Sequence, residues 1–226
     1  MTGRIRCFRL HLIMGNAYLL VMGSRSLLVD AGPRGSRKLL LRYLRKYSIA
    51  PESIELIVLT HSHLDHAGGL KEVMELTGSA LCVHESEAPL VRSGEMVVPP
   101  GVTKIGRLAS KIGGFLRPFF RYPPVDPDII ISGPLSLEPF GFPGLVLPTP
   151  GHTAGSLSVI LENGMCFIGD SAANLPAFLG GSLFPPFAED KEALLLSWRL
   201  LLDTGAKHLY PGHGDPFPAS FLEKFL

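Results

Sequence analysis

Short apolar runs alternate with polar stretches along the chain, and the period of the alternation changes from segment to segment. Residues 5–12, 17–22 and 26–30 are apolar runs too short for helices, separated by turn signals at Gly15-Asn16 and Gly23-Ser24, and they predict three strands. The third ends in Asp30-Ala31-Gly32, so a carboxylate follows directly on an apolar strand. Over 38–47 the period lengthens. Leu40, Leu41, Leu44 and Tyr47 recur at helical spacing with Arg42, Arg45 and Lys46 opposite, which predicts an amphipathic helix covering a sheet with its basic face in solvent. The β-branched and aliphatic run 54–59 predicts a buried strand. A helix is predicted from Asp65, with Asp65 as its cap, continuing through 70–76 until Gly78 ends it in the left-handed conformation. Residues 80–83 then predict a strand and 85–91 a short helix.

The second half repeats the plan. Strands are predicted at 129–132, 135–137, 145–147, 156–161, 165–168 and 207–210, with helical spacing at Ala193, Leu196, Trp198 and Leu201 and a last helix near 219–225. Sheet inside and helices outside, met once in each half, predict an α+β fold: a four-layer αββα sandwich of two sheets flanked by helices. At 226 residues, without repeats or low-complexity tracts, the chain is read as one domain spanning 1–226.

Residues 96–125 differ in character. They hold no acid, yet carry Lys104, Arg107, Lys111, Arg117 and Arg121 among Phe115, Phe119, Phe120 and several prolines. Four readings stay open: a lid over a pocket, a homodimer contact, a patch for an acyl chain or membrane surface, or a helical insertion packed on the body. Gly113-Gly114 and Pro118 break the segment too often for an independent domain.

Composition narrows the function classes. A formal net charge of +1 gives no global argument for a nucleic-acid partner or an anionic membrane. No apolar run approaches the roughly 18 residues of a spanning helix, so stable membrane insertion is not expected. Arg4, Arg6 and Arg9 before the apolar stretch 10–22 imitate a signal peptide, but His11 and Asn16 interrupt it and no cleavage pattern follows. Cys7, Cys82 and Cys166 are odd in number and set in apolar segments, as expected of buried thiols in a reducing cytoplasm.

The chemistry concentrates just after the strand 54–59, in Thr60-His61-Ser62-His63-Leu64-Asp65-His66-Ala67-Gly68-Gly69. Three imidazoles and a carboxylate on one tight turn converge on a small volume; such donors suit zinc and its borderline neighbours, and a carboxylate bridges two ions. Three later strands end the same way, in Pro150-Gly151-His152-Thr153, Gly169-Asp170-Ser171 and Pro211-Gly212-His213-Gly214. Each sets one ligand-type residue beyond a strand, with glycine beside it to permit close approach. His84, between a strand and a helix, is read as a structural or pocket-edge residue.

This set, His61-Ser62-His63-Leu64-Asp65-His66 followed by His152, Asp170 and His213, resembles that of the metallo-β-lactamase-fold hydrolase superfamily, over nearly the whole chain. The resemblance implies two mixed sheets flanked by helices and two divalent ions, zinc first, with iron or manganese as alternatives. His61, His63 and His152 would hold one ion and Asp65, His66 and His213 the other, with Asp170 bridging and Asp30 in support. Two cations about 3.5–4 Å apart make hydroxide available near neutral pH, for attack on a carbonyl carbon or phosphorus. Asp65 would be the catalytic residue that orients the nucleophile and shuttles a proton.

The substrate expected is a small ester, thioester or lactone. Thirteen residues follow His213, which leaves no room for the glutathione-gripping helices of glyoxalase II-like enzymes. Ser171, Ala172, Ala173 and Asn174 stand where acyl-homoserine lactonases place a tyrosine. The apolar loop 175–187, with Phe178, Leu179, Phe184 and Phe187, either lines an acyl pocket or belongs to the core. The alternative reaction is that of a mononuclear iron persulfide dioxygenase of the same fold, with a phosphodiesterase or ribonuclease behind it.

Overall fold

A computed structural model describes residues 4–12, 15–97, 100–101, 121–175 and 182–226. Its strands form two six-stranded sheets. In the first, β1 (Arg6–Leu12), β2 (Gly15–Met22) and β3 (Arg25–Val29) form an antiparallel meander. Parallel strands β4 (Ile54–Val58), β5 (Ala80–His84) and β6 (Ile129–Ile131) extend it. The second holds β7 (Leu135–Ser136), β8 (Gly144–Pro148), β9 (Leu157–Leu161), β10 (Met165–Gly169), β11 (His208–Pro211) and β12 (Phe217–Pro218). Only the β10–β11 pair is parallel there, so both sheets are mixed.

The continuous apolar runs are explained by strands covered on both faces. Along β2 and β4, Leu19, Val21 and Ile57 face outward, while Tyr18, Leu20, Leu56 and Val58 face the second sheet. From that sheet Leu157, Val159, Leu161 and Phe167 close the inter-sheet core, and Ile160, Cys166 and Ile168 face away from it. Helices α1 (Ser36–Lys46), α2 (Leu64–Ala67), α3 (Leu70–Thr77) and α4 (Ala88–Ser93) lie in the first half, and α5 (Lys191–Asp203) in the second. Leu40, Leu44, Leu70, Val73 and Val91 pack on the outer face of the first sheet; Leu194, Trp198 and Leu201 pack on that of the second. This is the expected α+β four-layer sandwich.

Several local expectations need correction. Asp65 does not cap its helix: the N-cap of α2 is His63, and Asp65 lies in the first turn with its side chain turned to His66 and His213. The helix also breaks at Gly68-Gly69 before α3 begins. The loop after β3 packs there so closely that a Cβ on Gly69 would meet Ala31 O at 2.9 Å, and Gly69 N instead donates to Gly32 O. Helix α4 starts later than the apolar pattern indicated, with Glu87 as its N-cap. On α5, Leu196 is 65% exposed, because the buried stripe runs through Leu194, Ser197, Trp198 and Leu201. The last helix, Ala219–Phe225, is 3-10.

Most of 96–125 (98–99 and 102–120) and, with Phe178 and Leu179, part of the loop 175–187 (176–181) lie outside the described residues. Cys7, Cys82 and Cys166 are free thiols, the latter two buried. Among the described residues no helix is long and apolar enough to cross a membrane.

Candidate metal centre

The parallel strands end at one edge, and there the two sheets are stitched together. Asn16 N donates to Gly212 O at 2.8 Å and Leu157 N to Thr60 O at 2.9 Å between the sheets, and Gly212 N donates to Gly169 O at 2.7 Å within the second. Side chains that leave β3, β4, β8, β10 and β11 therefore meet in one place. His61, His63, His152 and Asp170 form one group of potential ligands and Asp65, His66 and His213 a second, with the donor atoms of each group within 4.8 Å of one another.

In the first group His63 Nδ1 lies 2.9 Å from His61 Nε2 and 3.1 Å from His152 Nε2. The opposite ring nitrogens settle the protonation of all three rings. His152 Nδ1 donates to Phe187 O at 2.9 Å, and His63 Nε2 to Val97 O at 3.0 Å, since a carbonyl only accepts. Thr60 Oγ1 gives its proton to Asp30 Oδ2, so it accepts from His61 Nδ1 at 3.0 Å. Three lone pairs thus converge with no proton among them, which is repulsive without a cation and favourable with one.

The second group is arranged around carboxylates. His213 Nε2 is 3.0 Å from Asp65 Oδ2 and 3.3 Å from Asp170 Oδ2; His66 Nε2 is 3.3 Å from Asp170 Oδ1. Asp170 also lies 3.8 Å from His152 Nε2, so it faces both groups. His66 Nε2 and Asp170 Oδ1 are buried and make no well-formed hydrogen bond. Beside them Gly212 leaves a hollow: a Cβ there would stand 2.4 Å from Asp170 Oδ1 and 2.5 Å from His66 Cε1. Orphaned donors around a hollow that even a methyl would fill fit a bound cation.

Asp30 serves both groups. Its Oδ1 accepts from Thr60 N and its Oδ2 from Thr60 Oγ1 and from His66 Nδ1, at 2.7–2.9 Å. The residue is held at φ 62°, a left-handed conformation that a non-glycine adopts at a cost these hydrogen bonds offset. Helix α5 holds two of the ligand loops, through Trp198 Nε1 donating to Ser171 O and Ser197 Oγ to Pro150 O. His84 is outside both groups; its Nδ1 caps a turn by accepting from Ser86 N. Phe184 packs on Trp198 with centroids 4.8 Å apart and so belongs to the core, while Phe187 contributes a carbonyl. Thr60 and the two carbonyl partners carry roles that no sequence signal had assigned to them, whereas Gly212 gives the close approach expected of a glycine beside a ligand. A polar β-branched residue between a buried strand and a ligand string was a usable cue for Thr60; a carbonyl leaves none.

Electrostatics divide the two groups. Burial, reinforced by the other rings, holds His61 well below the ordinary histidine range; burial also lowers His63 and brings His152 to about 4. These rings are neutral at pH 7 and ready to ligate. For His66 the cost of burial is overcome by Asp170, Asp30 and Asp65, which hold it well above 6.5; Asp170 above all lifts His213 to about 10. Asp65 and Asp170 are pushed up by burial, but the adjacent histidines outweigh it and keep both low. Without a cation His66 and His213 are therefore protonated at pH 7. Loading the centre at that pH is expected to release about two protons, one from each ring. Calorimetric metal titrations in buffers of different ionisation enthalpy read that number, and a value of zero would contradict the assignment.

A two-sheet sandwich with histidine and aspartate donors at its strand ends defines a class of metal-dependent hydrolases. The family model for the metallo-β-lactamase superfamily matches residues 12–213, and the chain belongs to that superfamily. It is 28% identical over 208 residues to a probable metallo-hydrolase of Methanocaldococcus jannaschii, covering 88% of this chain and 87% of that protein. It is 26% identical over 222 residues to the probable metallo-hydrolase YflN of Bacillus subtilis, covering 90% and 81%. The fold is similar to that of a metallo-β-lactamase family protein from Thermus thermophilus, with TM-score 0.70 and 22% identity over 100% of this chain and 78% of that one. It is also similar to the BLEG-1 B3 metallo-β-lactamase, with TM-score 0.69 and 21% identity over 96% and 95%.

Proposed function

We propose that the protein hydrolyses a small ester, thioester or lactone at a centre of two divalent cations, most simply zinc. His61, His63 and His152 would hold one and Asp65, His66 and His213 the other, with Asp170 shared. The observation that carries this reading is the pair of donor groups joined by Asp170, in which the far nitrogens of His61, His63, His66 and His152 are each committed to an oxygen. Two cations there would supply Lewis acidity, making water acidic and polarising an acyl oxygen.

The remaining work falls to the chain. Asp30 and Thr60 keep His61 and His66 turned inward, so the centre needs no reorganisation on binding substrate. The Asp65 side chain is 20% exposed whereas His66 beside it is 1% exposed, so Asp65 faces the mouth. Held as a carboxylate, it can take a proton from the attacking water and pass it to the departing alkoxide or thiolate. A shallow hollow of about 350 Å³ lined by Arg9, His11, Leu12, Asn16, His213 and Asp215 borders the second group at His213 alone.

Metal analysis combined with an ester, thioester, lactone and phosphodiester panel tests the reading. Two zinc-class ions per chain are expected, with acyl hydrolysis lost on chelation and restored by metal. One iron per chain with oxygen uptake on glutathione persulfide would instead identify a dioxygenase. Asp65→Asn is expected to keep the fold, with an unchanged circular dichroism spectrum, while slowing hydrolysis by about 10²–10⁴-fold. Full activity in that variant would remove Asp65 from the mechanism.

A further inference from the structure

Behind the first donor group lies a second carboxylate that the proposed reaction does not use. Glu87 is 3% exposed, and among the described residues no Lys, Arg or His pairs with it. A buried carboxylate without a cation is costly unless something nearby offsets it. Its Oε2 accepts from Ser62 N at 2.9 Å, and Ser62 is the residue between His61 and His63. The other side of the carboxyl group abuts the loop that carries His152: a Cβ on Gly155 would lie 2.6 Å from Glu87 Cγ and 2.9 Å from Oε1. Glu87 is therefore wedged between the two loops that deliver the three imidazoles. Ser62 Oγ and Tyr122 Oη are buried without a well-formed hydrogen bond, and Tyr122 is pushed up by burial and then by the Glu87 charge.

The three imidazoles of this group are neutral, and Asp170 is shared with the second group. A divalent cation bound by them keeps excess positive charge that its direct ligands do not cancel. We propose that Glu87 is a positioning residue for the three-histidine half of the centre, setting its geometry and its affinity for a cation by spacing the two loops and placing a fixed negative charge behind them. It acts through Ser62 N and Gly155 and touches neither substrate nor metal. The inference rests on the metal-centre reading above.

Cobalt(II) titration of the metal-free protein, followed by its visible d–d absorption, tests the proposal without an activity measurement. Glu87→Gln keeps the volume and an acceptor for Ser62 N but loses the charge. It is expected to fold with an unchanged circular dichroism spectrum and to bind the three-histidine equivalent about ten- to a hundredfold more weakly, while the other equivalent is unaffected. Gly155→Ala, which pushes on the carboxylate without altering its charge, is expected to shift the d–d bands of that same equivalent. Wild-type affinity and spectrum in both variants would overturn the proposal and leave the metal centre standing. Absence of cobalt binding by the wild-type protein would overturn both.

Discussion

Asp170→Asn is expected to cost the protein its paired centre, reducing hydrolysis by about 10³-fold or more and leaving at most one tightly held cation per chain. Asparagine matches the volume but carries no charge, and the two carboxylate oxygens have different tasks: Oδ1 lies against His66, Oδ2 between His213 and His152. Without that charge the chief influence lifting His213 to about 10 is gone, and one of three carboxylates raising His66 goes with it. In the metal-free variant the histidine titrations, followed by nuclear magnetic resonance, should move down toward the ordinary range. Native mass spectrometry counts the bound metal. Two ions per chain and unchanged turnover would show that Asp170 does not join the two groups.

Gly212→Ala should be nearly as damaging, for a steric reason. The added carbon would stand 2.4 Å from Asp170 Oδ1 and 2.5 Å from His66 Cε1, well inside contact distance. The backbone cannot retreat, because Gly212 N is tied to Gly169 O within the second sheet and Gly212 O to Asn16 N across the join between the sheets. Overpacking of this kind costs about 1–3 kcal/mol in stability. Here it also displaces two donors, so a lower Tm should be accompanied by lost metal. Gly15→Ala, whose Cβ would lie 3.2 Å from Gly212 O, provides the milder contrast. A Gly212→Ala protein with wild-type Tm and full metal content would refute this account of the hollow.

Much of this architecture was legible along the chain because double-sided burial writes itself as continuous apolar runs and helix packing as a 3.6-residue period. The eleven strands read from the chain came out within one or two residues, while the two-residue β12 was not among them. The helix errors share one cause: tertiary contacts overrode local propensity. Asp65 has the composition of a cap, yet the pull of His66 and His213 turns it toward the centre. Leu196 has the spacing of a core residue, yet the face of α5 that meets the second sheet is set by Trp198, whose indole N–H reaches Ser171 O. The loop 175–187 read equally well as pocket or core, and Phe184 resolved to core only through its packing on Trp198.

The sequence by itself determined which side chains are candidate ligands. Seven histidine and aspartate donors, each just past an apolar strand, stand in the chain whatever their eventual geometry. Their grouping, implied along the chain only by the family resemblance, is brought about by the tertiary structure. That Asp170 faces both groups, that Asp30 serves His66 directly and His61 through Thr60, and that the Val97 and Phe187 carbonyls turn His63 and His152 inward all depend on how two sheets meet at one edge. The physical reason is that a backbone carbonyl is the same group on every residue, and a hydrogen bond across tens of residues leaves no local pattern. Ligand identity is a property of side chains, whereas ligand orientation is a property of the fold.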